Sequence, residues 1–190
     1  RIHEQPDVLK VEEFEEFIGG FGYSLAAPPG AVRPRHFQRL LEKLRGKLEE
    51  RPIAFLMLRT MQKARYAERN LGHFGLAADS YTHFTSPIRR YPDLVVHRML
   101  REVRHRFSAG IDMERVEELE ADLPDVARHC SDMERRADEA ERELVQWKKV
   151  RFMADKVGDE FDGYITGVAA FGLFVQLVEH YVEGLVHVSS

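Results

Sequence analysis

Residues Tyr81-Thr-His-Phe-Thr-Ser-Pro-Ile-Arg-Arg-Tyr-Pro-Asp-Leu-Val-Val-His-Arg98 bring two adjacent arginines to the mouth of an amphipathic helix, which is the chemistry of an anion site. Ser86 and Pro87 suit an N-cap and first helical position, and Pro92 offers a second start. Leu94, Val95, Val96, Met99, Leu100 and Val103 then recur at helical spacing. Arg89 and Arg90 therefore stand beside a helix N-terminus. Free N–H groups and the positive dipole end favour phosphate there, and a guanidinium adds paired hydrogen bonds to its oxygens. Ser86 and Thr85 are supporting candidates on the same segment. The same arginines also read as a solvated pair on a helix start. His73 and His83 read either as contacts to phosphate or a sugar hydroxyl, or as hydrogen-bonded structural residues. A metal site built from His73, His83 and His97 lacks the carboxylate-rich spacing that would accompany it.

The elements that must position these residues are mostly helical at first. Residues 7–22 predict a short helix carrying Val11, Phe14, Phe17 and Ile18, stopped by Gly19-Gly20. Residues 26–34 form a turn-rich connector. Phe37, Leu40, Leu41, Leu44 and Leu48 make one apolar stripe of a second helix, and residues 53–61, apolar nearly all round, predict a buried third. The glycines and aromatics between Gly72 and Ser86 predict short strands leading to the arginines. From Pro124 to about Lys156 the chain reads as a helix. Cys130, Met133, Ala137, Ala140, Leu144 and Trp147 form its packing seam, and charged residues fill the other faces as pairs three and four apart. After Gly158 the period changes to strands at residues 160–168, 173–177 and 183–189, as in the opening of a Greek-key barrel. The expected class is α+β.

Composition narrows the possibilities. A chain of 190 residues can bury a core and hold one domain with part of another. Its net charge of -4 gives no global pull toward nucleic acid, so any nucleic-acid binding must come from local clusters of Lys and Arg. Cys130 is the single cysteine, which excludes an internal disulfide or a cysteine-rich zinc site and fits a reducing cytoplasm, with Cys130 a small core residue. No apolar run approaches a membrane span. The start at Arg1 and the strand pattern running up to Ser190 lead us to expect a piece of a longer protein.

The run Asn70-Leu-Gly-His-Phe-Gly-Leu-Ala77, followed by Tyr81 to Arg98, closely resembles the signature of the ribonuclease II and ribonuclease R family, late in its catalytic (RNB) domain. The likeness extends to Arg1-Ile-His-Glu-Gln-Pro6 and to His129-Cys-Ser-Asp-Met-Glu-Arg-Arg-Ala-Asp-Glu-Ala140, and so covers nearly the whole chain. Tyr81 to Leu94 is closer to the ribonuclease R branch. The strands, through Phe-Gly-Leu-Phe-Val175 and Glu-Gly-Leu-Val-His-Val-Ser189, are similar to the S-one-type OB-fold RNA-binding domain. The resemblance implies the C-terminal part of an RNB domain over residues 1–156 and the first strands of an OB-fold β-barrel over 157–190. It implies processive hydrolysis of single-stranded RNA from the 3′ end to nucleoside 5′-monophosphates by a cytoplasmic, monomeric enzyme.

It further implies Arg89 as the catalytic phosphate contact, with Arg90, Ser86 and Thr85 in support. A glutamate of the long helix reaches the nucleotide, with Glu141 preferred over Glu134, and Phe171, Phe174 and His187 face RNA. For the phenylalanines, filling the barrel core is an even alternative. The family's magnesium ligands are aspartates that lie upstream of this region, so residues 1–190 are expected to hold no metal centre and to be inactive alone. Asp79 and Asp93 stand isolated, Asp93 bracing the helix start beside Arg89. Two other readings remain open: a non-catalytic RNA-binding protein on a decayed nuclease domain, and a helical interaction scaffold.

Overall fold

The computed structural model describes residues 1–106 and 113–189, which divide into two compact units, Arg1–Glu134 and Arg135–Ser190. In the first unit, helix α1 (Val8–Gly19) opens at Asp7, whose carboxylate accepts from the N–H groups of Leu9 at 2.9 Å and Lys10 at 3.4 Å. It buries Val11, Phe14 and Ile18. Phe17, expected on that stripe, is 39% exposed and packs beside Phe21, because it lies about 100° around the helix from Ile18. Helix α2 (Pro34–Leu44) buries Phe37, Leu40 and Leu44. Leu48 does not extend this stripe and is 98% exposed, since α2 ends at Leu44 and Gly46 turns the chain at φ +77.

Helix α3 (Glu50–Thr60) buries only Ile53, Met57 and Thr60. Phe55 and Leu58, expected to be buried, face outward, because α1 and α2 cover a single side of the helix. Phe14, Phe37 and Phe74 meet ring against ring at the centre of this core, and Leu25 and Val32 from the connector are buried with them.

No ladder forms between residues 72 and 86. Isolated bridges join His73 to His3 and to Ala78, flanking a single 3-10 turn, Phe74–Leu76. Gly72 at φ +75 and Ala77 at φ 52 reverse the chain within six residues, which leaves no length for a strand. Helix α4 (Tyr91–Arg106) starts at the second of its two possible positions. A helix begun at Ser86 would place Pro92 where a backbone donor must meet the carbonyl of Ile88, whereas in the first turn of α4 the missing N–H costs nothing. Helix α5 (Met113–Met153) is longer than its sequence pattern indicated, with Pro124 inside it rather than at its start. Residues 113–123 are mostly strong helix formers, and this outweighs one lost hydrogen bond. Its expected seam is buried at Cys130 and the neighbouring Ser131, while Met133, Leu144 and Trp147 are exposed.

In the second unit, α5 passes through a 3-10 turn (Ala154–Lys156) toward three antiparallel strands in the order β1 (Gly163–Ala169), β2 (Gly172–Leu177) and β3 (Glu183–His187). The register pairs Phe174 with Gly167 and Leu185, and Gly172 with Ala169 and His187. Gly172 is required at this crossing: a Cβ there would collide with the carbonyl oxygen of Val186.

Candidate functional site

Ser86 to Arg90 forms a closed turn. The Ser86 carbonyl accepts from Arg89 N at 3.2 Å and from Arg90 N at 2.9 Å. Asp93, in the first turn of α4, fastens both ends of it: Oδ2 accepts from Ser86 N at 2.8 Å and from Arg90 Nη2 at 2.9 Å. Asp93 is fully buried, and its Oδ1 and the Arg90 Nε have no hydrogen-bond partner among the described residues. Burial alone would push the Asp93 carboxyl up, but the Ser86 N–H and the Arg90 guanidinium outweigh it and hold the group below the usual carboxylate range. Arg89 sits at the exposed end of the turn, and its side chain makes no hydrogen bond or ion pair among the described residues. Thr85 is exposed beside it, and Ile88 is fully exposed.

A second cluster stands next to this turn. The Tyr66 hydroxyl and His83 Nδ1 share a hydrogen bond at 2.9 Å, with their rings edge to face. The Arg1 guanidinium lies 4.6 Å from the Tyr66 ring centre and pairs with Glu134 of α5. Ser131, one turn earlier on α5, accepts from Tyr66 N at 2.9 Å. Burial, then the charges of Arg90 and Arg1, push His83 below its ordinary value, so this imidazole stays neutral. Burial and the Glu134 carboxylate push the Tyr66 hydroxyl up. Sequence reasoning did not find Arg1, Tyr66 or Ser131. Their partners lie 17 to 133 residues away along the chain, and no local periodicity signals such a contact.

His73 and His97 are committed to the scaffold. His73 Nδ1 accepts from Leu76 N at 3.2 Å, and its ring stacks on His3. His97 bonds the Phe84 carbonyl at 2.9 Å and stacks on the Phe84 ring at 4.1 Å. Among the described residues no group of three or more His, Cys, Asp or Glu stands close enough together to hold a metal ion. These residues do not fit a metal centre.

Glu141 lies exposed on the part of α5 that belongs to the second unit, whereas Glu134 lies in the first unit against Arg1. On the sheet, alternation and register put Tyr164, Phe174, Gln176, Leu185 and His187 on one face, with Ile165, Val168, Leu173, Val175 and Val186 on the other. The continuous apolar face is the one a barrel would enclose. Phe174 and His187 therefore share the mixed aromatic and polar face. Phe171, half exposed in the β1–β2 turn, sets its ring edge to face against Phe174.

Comparison with known proteins covers both units. A model of the RNB domain matches residues 1–106, and a model of the S1 RNA binding domain matches residues 154–190. Ribonuclease R 1 of Lactococcus lactis is 44% identical over 191 residues, and ribonuclease R of Aquifex aeolicus 46% identical over 190. Each alignment takes in all of this chain but only 23% and 26% of the relative, so the chain spans about a quarter of the length of the curated relatives it matches. Among solved structures, Mycoplasma genitalium RNase R in complex with ribose methylated single-stranded RNA matches with TM-score 0.89 at 28% identity, over 100% of this chain and 30% of that one. The same enzyme in complex with double-stranded RNA matches with TM-score 0.87 at 29% identity, over 99% and 33%.

Proposed function

The chain belongs to the RNB family, and from that premise we propose that it is the region of a ribonuclease R-like enzyme that grips single-stranded RNA at the scissile phosphate during hydrolysis from the 3′ end. The products are nucleoside 5′-monophosphates. The observation that carries this reading is the state of the arginines: Arg1 and Arg90 are held by Glu134 and Asp93, while the Arg89 side chain is exposed and unpaired among the described residues, on a turn closed on both sides. A guanidinium held ready in this way stabilises charge that develops on a phosphate, without reorganising at the moment of reaction. Thr85 and Ser86 support it from the same segment. Residues 1–156 form the RNB part and 157–190 the opening of the S1-type domain, with Phe171, Phe174 and His187 stacking on and bonding to RNA.

The divalent cation of the reaction, which we take to be magnesium, activates water and stabilises the leaving oxygen when bound. Its ligands come from aspartates outside residues 1–190, and these residues alone are inactive. The enzyme works in the cytoplasm as a monomer. The similar Mycoplasma enzyme bound to single-stranded RNA supports the substrate class.

The test is Arg89→Ala in the full-length protein that carries this chain. Single-turnover decay of a 5′-labelled oligoribonucleotide at saturating protein should slow by roughly two to three orders of magnitude, about 2.7–4 kcal/mol, while RNA affinity changes little. An unchanged rate would remove Arg89 from the site. Full-length protein that binds RNA yet shortens none, with or without Arg89, would favour the non-catalytic reading.

A further inference from the structure

We propose that Asp93 is a positioning residue that acts on RNA hydrolysis only through Arg89, and that Arg90 is its partner in this task rather than a ligand of the phosphate. The proposal rests on the assignment of Arg89 above.

The geometry separates the twin arginines. Arg90 spends Nη2 on Asp93, its Nε is buried, and its side chain is only 25% exposed, so few of its donors remain for a substrate. Arg89, one residue earlier, is outside this network. What joins them is the turn. Asp93 Oδ2 accepts from the first residue, through Ser86 N, and from the last, through the Arg90 side chain, while the Ser86 carbonyl closes the same loop from the backbone side. Releasing Oδ2 frees both ends of the segment that aims Arg89. Its charge is fully enclosed and is balanced by Arg90 alone among the ion pairs of the described residues, so neither partner can change without the other being disturbed. Misplacing a group that must meet a transition state by about 1 Å costs on the order of a hundredfold in rate, while ground-state binding is spread over many other contacts.

The experiment is a double-mutant cycle in the full-length protein. Single-turnover rates and equilibrium RNA affinity are measured for the parent, Arg89→Ala, Asp93→Asn and the double variant, with thermal unfolding as a check on folding. Asp93→Asn keeps an acceptor near the position of Oδ2 but loses the charge. It should slow hydrolysis about tenfold or more and leave affinity within about twofold, and in the Arg89→Ala background it should slow hydrolysis no further. If Asp93→Asn does not fold, Arg90→Lys takes its place in the same cycle, because it keeps the charge while weakening the fork. It should slow the reaction several-fold, again only when Arg89 is present.

Slowing that multiplies with that of Arg89→Ala, or a parental rate in the folded Asp93 or Arg90 variant, would overturn the positioning role and leave Arg89 standing. An unchanged rate for Arg89→Ala would instead sink the assignment beneath it.

Discussion

At the scale of single residues, what separates similar side chains is what they already hold. Two arginines of the cluster are neutralised by carboxylates and one is not, a distinction that adjacency in sequence cannot make. The histidines sort in the same way, and this has a consequence for pH. Burial pushes His3, His73 and His83 below their ordinary value, so the folded chain keeps them neutral. The unfolded chain binds their protons once pH falls below about 6.5, so stability is lost as pH drops from there through their lower folded values. The thermal unfolding midpoint should therefore fall between about pH 7.5 and 5.5, and replacing His83 with glutamine should flatten that slope. A midpoint that rises on acidification would contradict the assignment. Asp93, depressed by Ser86 and Arg90, contributes in a separate window: its stabilisation is present above about 3.9 and is lost only below that.

At the scale of elements, α1, α2 and α3 are each held by one face, and side chains that look alike in sequence differ sharply in worth. Leu44 is fully enclosed at the end of α2, while Leu48, on the same apparent stripe, stands almost wholly in water beyond Gly46. Leu44→Ala should cost about 2–5 kcal/mol, from lost burial plus the cavity left behind. Leu48→Ala should stay within about 0.5 kcal/mol. Urea unfolding of both variants gives the comparison directly, and equal losses would show that the stripe continues past the turn. Helix α4 makes a related point about chemistry. Because Pro92 shifts its start to Tyr91, the arginines fall on a turn before the helix, and a side chain of the helix itself, Asp93, is free to tie that turn down.

Across the whole molecule, a net charge of -4 leaves the proposed RNA binding to local surfaces. The aromatic and polar face of the sheet is the surface proposed for this role. Stacking on bases is worth about 1–3 kcal/mol per base with little dependence on sequence. Replacing Phe171, Phe174 and His187 together in the full-length protein should weaken single-strand RNA binding by energies of that order and leave the single-turnover rate at saturation nearly intact. Fluorescence anisotropy on a labelled oligoribonucleotide reads the first and the decay assay the second. A folded triple variant with parental affinity would show that these side chains are idle.

The sequence alone determined the positions that α1 and α2 bury, the change of period after Gly158 and the place of Ser86 to Arg90 just before a helix, because these depend on residues within a few positions of one another. Only the tertiary structure decided which arginine is free, that Tyr66 meets Ser131 and His83, that Glu134 rather than Glu141 meets Arg1, and that the residues before Ser86 form bridges instead of strands. It also put Phe174 on the face opposite the apolar one. The reason is common to all of these. Burial and pairing are settled by contacts between segments far apart in the chain, and a side chain's chemistry follows from what those contacts leave exposed.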